Sequence, residues 1–325
     1  MAATTAPDIS SGFLSRESFN ALRTALDAGY TLPSDWYMDR DLYERECALV
    51  LRRSWHYACH AGEIGYRFEH DVAGAPVVIV RDAPGTIRGF MKDAPNQPIQ
   101  VQQWGPMIWV NPDSGAPIFD DWASNLRSLV TDNGMDLDDF RYSYERTWRF
   151  KANWKVYLDN SCECYHCPTC HPQVNKAMEM DVEKQGFFAH RNWITHIIPI
   201  RAAADYRREA AGLLYHFHWI FPMTFVQYTE ERRGFDIGSA RPLSVDEIEL
   251  KNIFFVRQDM KEEEEKRRRI HQQESNVVAE DVAICERVQE AHATGMAPTG
   301  RILPSSEWFI LHFQQRILDM MADRP

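Results

Sequence analysis

The sequence predicts an α+β protein in which a small antiparallel β-domain is joined to a larger antiparallel-sheet domain covered by helices. Three observations lead to this fold class. The chain has 325 residues, a length that suggests about two domains. Short β-rich runs separated by glycine and proline fill residues 55–111, and a second series of such runs precedes a long helical stretch. We predict an N-terminal helical segment (1–54), a small β-domain (55–115) and a larger domain (116–325).

The N-terminal segment is predicted to be helical and the small domain to consist of strands. Phe19, Leu22 and Leu26 recur at helical spacing, and a second helix is predicted over residues 39–51. A turn at Pro33 separates the two helices. The runs that follow are rich in residues that favour strands. We predict strands at residues 55–59, 66–72, 76–81, 86–91 and 101–110.

The larger domain is predicted to contain a run of strands followed by helices, which is typical of an α+β domain. The helix before these strands is indicated by Trp154, Tyr157 and Leu158, which share one helical face. We predict helices at residues 118–130, 152–165, 259–292 and 305–321, and strands at residues 140–150, 187–200, 213–220, 224–228, 235–241 and 248–257.

Charge and composition disfavour several classes of partner. The formal charge of -11 repels polyanions, so we expect no nucleic-acid partner. No run approaches the roughly 18 apolar residues of a membrane-spanning helix, so we expect no membrane association. The first residues lack a basic region followed by an apolar block, and we predict a cytoplasmic protein. Seven cysteines, four of them within residues 162–170, indicate reduced thiols rather than a disulfide framework.

Residues 159–172 concentrate side chains that bind metals. His166 and His171 are strong ligands for first-row transition metals, and Glu163 lies one helical turn before His166. Two histidines and one carboxylate on one side of an iron leave positions open for oxygen and substrate. Pro168 predicts that the helix ends between the histidines, so that the loop brings His171 back towards the first ring. The alternative for each histidine is a hydrogen-bonded core residue.

The cysteines of the same stretch allow a second interpretation. Cys162, Cys164, Cys167 and Cys170 follow the pattern C-x-C-x2-C-x2-C, which could hold zinc or an iron–sulfur cluster. Because Cys162 and Cys164 lie on different sides of a helix, the four sulfurs converge only if that helix unwinds. Otherwise the cysteines are small core residues.

Several motifs resemble the α subunits of Rieske-type non-heme iron ring-hydroxylating oxygenases. Residues 32–37 and 55–57 resemble the N-terminal entry of this family, especially in its quaternary-ammonium monooxygenase branch. Residues 280–289 resemble the segment that carries the family's third iron ligand. The central motif consists of Asn153-Trp154-Lys155, Asp159-Asn160, Glu163-Cys164-Tyr165-His166-Cys167 and His171-Pro172.

The resemblance assigns roles to four residues. It implies that His166 and His171 bind a mononuclear Fe(II) and that Glu163, the catalytic acid, relays electrons to it. It assigns the third iron ligand to Asp281, for which the alternative is an acid on the surface of a helix. Residues 116–325 are then the iron-binding catalytic domain.

The [2Fe-2S] motifs of this family are missing from the chain. The family's cluster domain carries C-x-H and C-x2-H, which supply the ligands of a Rieske centre. Here the only C-x-H is Cys164-Tyr165-His166, inside the iron motif, and C-x2-H does not occur. The chain runs from residues 87–90 almost directly to residues 103–105. We therefore predict a degenerate Rieske-like β-domain without its cluster-binding loops, and no [2Fe-2S] cluster on this chain.

The resemblance implies an oxygenase component that hydroxylates or demethylates a small organic substrate, quaternary ammonium or aromatic, with O2 at Fe(II). Because the chain lacks a cluster, its electrons must come from a reductase or a cluster-bearing subunit. The family's trimers lead us to expect a homo- or hetero-oligomer. The alternatives are a non-catalytic structural or regulatory subunit of an oxygenase complex, and a zinc or iron–sulfur protein built on the cysteines.

Aromatic residues of the second sheet are candidates for the substrate pocket. Aromatic faces attract quaternary ammonium groups through cation–π contacts. The same side chains are equally suited to the core of a sheet, because aromatic residues favour strands. The candidates are Trp193, Phe217, Trp219, Phe225 and Tyr228.

Overall fold

Two antiparallel sheets, of six and seven strands, organise the computed structural model of the chain. The structure describes residues 16–82, 85–201, 210–260 and 264–322. The combination of helices with two antiparallel sheets confirms the predicted α+β fold class. The division into domains after residues 54 and 115 stays a prediction.

The smaller sheet lies where the sequence predicts the small β-domain. Its strands are β1 (His56–His60), β2 (Arg67–Val72), β3 (Ala75–Arg81), β4 (Ile87–Met91), β5 (Ala94–Trp104) and β6 (Met107–Asn111). They are ordered β1-β6-β5-β4-β3-β2, and neighbours are antiparallel. The single strand predicted over residues 101–110 is wrong, because the chain turns at Gly105. This glycine has a φ of 57°, and a Cβ there would lie 2.5 Å from Leu137.

A short hairpin joins β4 to β5 at the position where the family's first cluster loop would begin. Met91 pairs with Ala94, and Phe90 pairs with Pro98. The backbone N–H of Lys92, in the turn, donates a hydrogen bond of 2.9 Å to the carbonyl of Pro76. The two strands therefore continue into each other without a cluster-binding loop.

The larger sheet contains the remaining strands. They are β7 (Phe140–Phe150), β8 (Gly186–His190), β9 (Trp193–Pro199), β10 (Leu214–Ile220), β11 (Thr224–Thr229), β12 (Gly234–Ser244) and β13 (Glu247–Arg257). Their order is β7-β13-β12-β11-β10-β9-β8. The strand predicted over residues 187–200 is two strands, β8 and β9, which pair with each other across a tight turn.

Ten α-helices lie in the described part of the chain. They are α1 (Arg16–Asp27), α2 (Asp35–Met38), α3 (Arg40–Leu49), α4 (Phe119–Trp122), α5 (Leu126–Asp132), α6 (Trp154–Ser161), α7 (Cys167–Cys170), α8 (Pro172–Ala177), α9 (Glu264–Ala293) and α10 (Trp308–Ala322). The helix predicted over residues 118–130 is broken into α4 and α5 at Asn125, whose φ is 66°. Residues 261–263 of the helix predicted over 259–292 lie outside the described residues. No described helix is long and apolar enough to cross a membrane.

Buried polar contacts hold α6 in place. The Asn153 side chain caps this helix by accepting from the backbone N–H of Lys155 at 3.0 Å. The backbone N–H of Asn153 donates to Gln289 of α9 at 2.8 Å. At the second residue of α6, the fully buried Lys155 ammonium lies 2.6 Å from the equally buried carboxylate of Glu46 on α3. These contacts fix the helix that leads into the metal-binding stretch.

Candidate metal centre

The two predicted histidine ligands lie on the segment that follows α6. This helix ends at Ser161, four residues earlier than predicted, so His166 is already outside it. His166 immediately precedes the short helix α7, and His171 links α7 to α8. The prediction that the helix ends between the histidines is therefore wrong, because α6 ends before both of them. A new helical turn, α7, lies between His166 and His171 and brings the second ring back to the first.

His166, His171 and Asp281 meet although Asp281 is more than a hundred residues away, on α9. The Nε2 atoms of the two histidines are 3.0 Å apart. Oδ1 of Asp281 lies 3.0 Å from Nε2 of His171 and 3.3 Å from Nε2 of His166. Three potential ligand atoms therefore form a nearly equilateral triangle.

The triangle has the size expected for three ligands on one face of an octahedral metal. Ligands about 2.1 Å from a metal and about 90° apart lie about 3.0 Å from each other. A tetrahedral angle of about 109° would separate them by about 3.4 Å. Two of the three separations, both 3.0 Å, match the octahedral value, and the third, 3.3 Å, is nearer the tetrahedral one. Two histidines and one carboxylate on such a face are typical of non-heme Fe(II) oxygenases.

Neighbouring polar groups orient the three side chains. Nδ1 of His171 lies 2.7 Å from Oε2 of Glu280, and Nδ1 of His166 hydrogen-bonds to Glu163. With each Nδ1 donating to a carboxylate, each Nε2 keeps its lone pair for a metal. The Nδ2 group of Asn160 donates to Oδ1 of Asp281 at 2.9 Å. The role of Glu280 was not predicted, and its only signal in the sequence is its place beside Asp281.

The charges of the site favour a cation at the centre of the triangle. Burial lowers the pKa of His166, but hydrogen bonds to Asp281 and Glu163 outweigh burial and raise it to about 10. Burial also lowers the pKa of His171, and bonds to Asp281 and Glu280 raise it overall. Burial raises the pKa of Asp281, but its bonds to both histidines lower it overall. A metal ion would replace protons that the carboxylates hold on these rings.

Glu163 lies beside the triangle. Its carboxylate accepts from the backbone N–H groups of Tyr165 and His166 as well as contacting the His166 ring. Together with Asn160 and His166, it lines both an inner cavity and a cleft on the other side of the site. Glu163 therefore separates the inner cavity from the outer cleft.

The cysteines do not form the four-sulfur cluster that was the alternative interpretation. Cys164 and Cys167 are joined in a disulfide, whereas Cys162 and Cys170 are free. The prediction of reduced thiols is wrong for the bonded pair, because the short loop after α6 brings their Cα atoms to 5.0 Å. Four thiolates are not available to one metal in this arrangement.

The inner cavity has a volume of about 170 Å³ and is bordered by His166, His171 and Asp281. Of the five predicted pocket residues, Phe217 and Phe225 line it. The sequence interpretation missed Tyr215, which is two positions from Phe217 on β10, and Tyr157 on α6. It also missed other lining residues on the sheet, His196, Gln227 and Asn252.

The other three predicted pocket residues lie away from the cavity. Trp193 is buried and donates to the carbonyl of Ser124 at 3.0 Å. Trp219 is fully buried behind Phe217 and Phe225. Tyr228 lies next to His218 and Asn133, to which its hydroxyl is hydrogen-bonded. These three aromatic side chains contribute to the core.

Sequence comparison places the larger sheet and its helices in a known family. The model of the ring hydroxylating alpha subunit (catalytic domain) matches residues 137–323, more than half of the chain. The chain belongs to this family. The family's catalytic domain is a mononuclear non-heme iron oxygenase domain, in agreement with the resemblance of the motifs.

Similar proteins extend the likeness beyond that domain. The carnitine monooxygenase oxygenase subunit of Escherichia coli (strain K12) is 21% identical over an alignment that covers 90% of this chain and 94% of that protein. Choline monooxygenase, chloroplastic, of Amaranthus tricolor is 21% identical, with 88% of this chain and 76% of that protein covered. The first alignment spans 359 positions, more than the length of this chain, so it contains gaps in this chain.

Solved structures show the same fold. A crystal structure of a quaternary ammonium Rieske monooxygenase matches with a TM-score of 0.79 at 18% identity, covering 92% of this chain and 97% of the other. Naphthalene 1,2-dioxygenase from Rhodococcus sp. matches with a TM-score of 0.71 at 15% identity, covering 96% and 100%. The small β-domain and the larger domain both have counterparts in these proteins.

Proposed function

We propose that the chain is an oxygenase component that oxidises a small organic substrate with O2 at a mononuclear iron. The observation that carries this proposal is the triangle of His166, His171 and Asp281 at the edge of a cavity. Nε2 of His166, Nε2 of His171 and Oδ1 of Asp281 would hold Fe(II), and the bound ion would supply the chemistry of O2 activation.

The protein's own residues prepare the site for substrate. Glu280 and Glu163 hold the N–H groups of the two imidazoles, so both Nε2 atoms stay directed at the metal position. Apolar and aromatic side chains make up much of the cavity lining beside the metal position. Phe217 and Phe225, with ring centroids 5.0 Å apart, line the cavity in which the substrate would bind.

The substrate class that we propose is a quaternary ammonium compound, and a small aromatic compound is the alternative. Two observations support the first class. The relatives are named for carnitine, glycine betaine and choline. The cavity also places the aromatic side chains Tyr157, Tyr215, Phe217 and Phe225 around one space. Aromatic faces attract such cations by about 0.5–2 kcal/mol each.

Electrons are proposed to enter through Glu163 from a separate cluster-bearing partner. The sequence lacks the cluster motifs, and the hairpin between β4 and β5 leaves no loop for them. Within the described residues, the clustered metal-capable side chains, His166, Cys167 and His171 among them, lie at the candidate metal centre. The partner would dock at the outer cleft, which Glu163 and His166 border together with Tyr37 and Glu307. A trimeric assembly and a cytoplasmic location remain predictions.

Turnover with a reduced partner tests this proposal. Iron-loaded protein is mixed with a Rieske-type oxygenase subunit, its reductase and NADH, and products from choline, glycine betaine, carnitine and small aromatic compounds are measured by mass spectrometry. We expect an O2-dependent product. Glu163→Gln should abolish coupled product formation while iron stays bound, and Glu307→Gln, at the same cleft, serves as the matched control. An iron-loaded protein that yields no product with any substrate would favour the structural or regulatory subunit.

A further inference from the structure

The disulfide between Cys164 and Cys167 encloses one of the candidate iron ligands. His166 lies between the two cysteines, and both cysteines line the same cavity as its ring. Cys167 is buried and Cys164 is partly exposed. The oxidation state of this pair therefore bears directly on the loop that presents His166.

The sulfur of Cys167 is close enough to the two histidines to share a metal with them. Its Sγ atom and one ring nitrogen each of His166 and His171 all lie within 4.8 Å of one another. A thiolate is a strong ligand for metals, whereas a sulfur bonded to a second sulfur is not a thiolate. In the oxidised chain, the disulfide thus keeps a nearby soft donor away from the centre.

We propose that the disulfide controls which metal the site accepts. This inference rests on the proposed metal centre. With the disulfide formed, the ligands are two imidazoles and a carboxylate, which leave positions open and suit Fe(II). With the disulfide reduced, Cys167 joins His166 and His171 as a further ligand. Such a mixed sulfur and nitrogen set favours a tetrahedral zinc ion over Fe(II).

The chemistry of the switch is thiol–disulfide exchange. An external dithiol attacks the disulfide and is itself oxidised to a disulfide, so two electrons and two protons pass to Cys164 and Cys167. Attack is easier at the partly exposed Cys164. When a divalent metal binds, the Cys167 thiol releases its proton to solvent as the metal–sulfur bond forms.

The neighbouring cysteines provide matched controls. Cys170 is free and partly exposed, and it does not line the cavity, so Cys170→Ser should leave metal binding unchanged. Cys164→Ser leaves Cys167 as a permanent thiol without any reductant. Cys167→Ser removes the donor in both redox states. Both single variants lack the disulfide, but only Cys164→Ser keeps the sulfur of Cys167. Comparing them therefore separates the effect of this sulfur from the effect of losing the disulfide.

Cobalt(II) and zinc titrations of the full chain test the inference. The disulfide content is first measured by thiol alkylation and mass spectrometry, before and after treatment with a dithiol. We expect oxidised protein to bind cobalt without a sulfur-to-cobalt charge-transfer band in the near ultraviolet. Reduced protein and Cys164→Ser should show that band and bind zinc at least about tenfold more tightly. Cys167→Ser should show no band in either state.

Two results overturn the inference. If reduced protein and Cys164→Ser bind cobalt without the charge-transfer band, Cys167 is not a ligand, although the metal centre itself stands. If alkylation shows free Cys164 and Cys167 after treatment with an oxidant, the disulfide does not form. Failure of the proposed function looks different, because then neither oxidised nor reduced protein binds cobalt and His171→Ala changes nothing.

Discussion

Asp159 is half-buried on α6 and connects this helix to two others. Its carboxylate accepts a hydrogen bond of 2.6 Å from the hydroxyl of Tyr37 on α2, and further bonds of 3.0 and 3.1 Å from the Nε2 group of Gln314 on α10. Burial raises the pKa of Asp159 from 3.8 to about 7, against the lowering effect of these bonds and of Lys155. We predict that Asp159→Asn changes how the stability of the protein depends on pH.

The sign follows from proton binding. Between about pH 4 and pH 7 the unfolded chain has lost the Asp159 proton while the folded chain keeps it, so the free energy of unfolding falls as pH rises. Each pH unit corresponds to about 1.4 kcal/mol, and a shift of about three units amounts to about 4 kcal/mol. Above pH 7 both states are ionised, and this group adds no further change. The asparagine variant carries no titrating proton here.

Urea unfolding of metal-free protein at pH 5, 6, 7 and 8 measures this effect. The stability of the variant relative to the wild type should rise by about 2.5–3 kcal/mol between pH 5 and pH 8. Most of this change should occur below pH 7. Asp120→Asn, which changes an exposed aspartate, is the control and should follow the wild type. A constant difference between Asp159→Asn and the wild type across this range would refute the buried, protonated carboxyl.

Three further predictions concern the packing and the outer contacts of the site. Lys155→Met should lower the free energy of unfolding by about 3–5 kcal/mol, because it leaves the Glu46 carboxylate buried and without its ion-pair partner. Urea unfolding measures this loss, and adding Glu46→Gln should recover much of it. Gly238→Ala should lower the free energy of unfolding by about 1–3 kcal/mol, because a Cβ there would lie 2.0 Å from the ring of Phe225; an unchanged denaturation midpoint would contradict this. Glu280→Ala should weaken cobalt binding about 10–100-fold by removing the hydrogen-bond partner of the second histidine, and equal affinity by calorimetry would argue against that contact.

The local spacing of residues predicted the two histidines of the site, whereas Asp281 was assigned through the resemblance to the family. His166 and His171 stood out because two histidines and a proline lie within a few residues. Asp281 is one acid among many on a long helix, and no local spacing relates it to residues 110 or more positions earlier. The fold brings it to the histidines by laying α9 beside α6, a long-range contact that periodicity does not encode.

The pocket prediction failed where strand pairing decides which face a residue occupies. Directly paired residues on neighbouring strands share a face of the sheet. Phe217 pairs with Gln227, and both line the cavity, whereas Tyr228 pairs with His216 and therefore lies on the opposite face. Trp193 pairs with Ile220 and is on that opposite face as well. Composition identified aromatic strands, but the register was needed to orient them.

Trp219, the remaining residue of the pocket prediction, does not line the cavity because other side chains cover it. Trp219 is two positions from Phe217 and shares its face of β10. It is nevertheless fully buried, because Tyr157 of α6 and Phe225 pack against it, with ring centroids 5.7 and 6.0 Å away. Alternation along a strand gives the face of a residue, and the helix above that face decides whether it reaches the cavity.

The iron content of the protein tests the three-residue metal centre most directly. The chain is loaded with Fe(II) without oxygen and desalted, and its iron is quantified together with the EPR spectrum of the nitric oxide adduct. We expect about one iron per chain, the signal of a mononuclear iron–nitrosyl complex and no Rieske signal. His171→Ala and Asp281→Ala should lose most of the iron, whereas His190→Ala, outside the site, should retain it. No bound iron, or the same iron content in all three variants, would contradict a centre built from His166, His171 and Asp281.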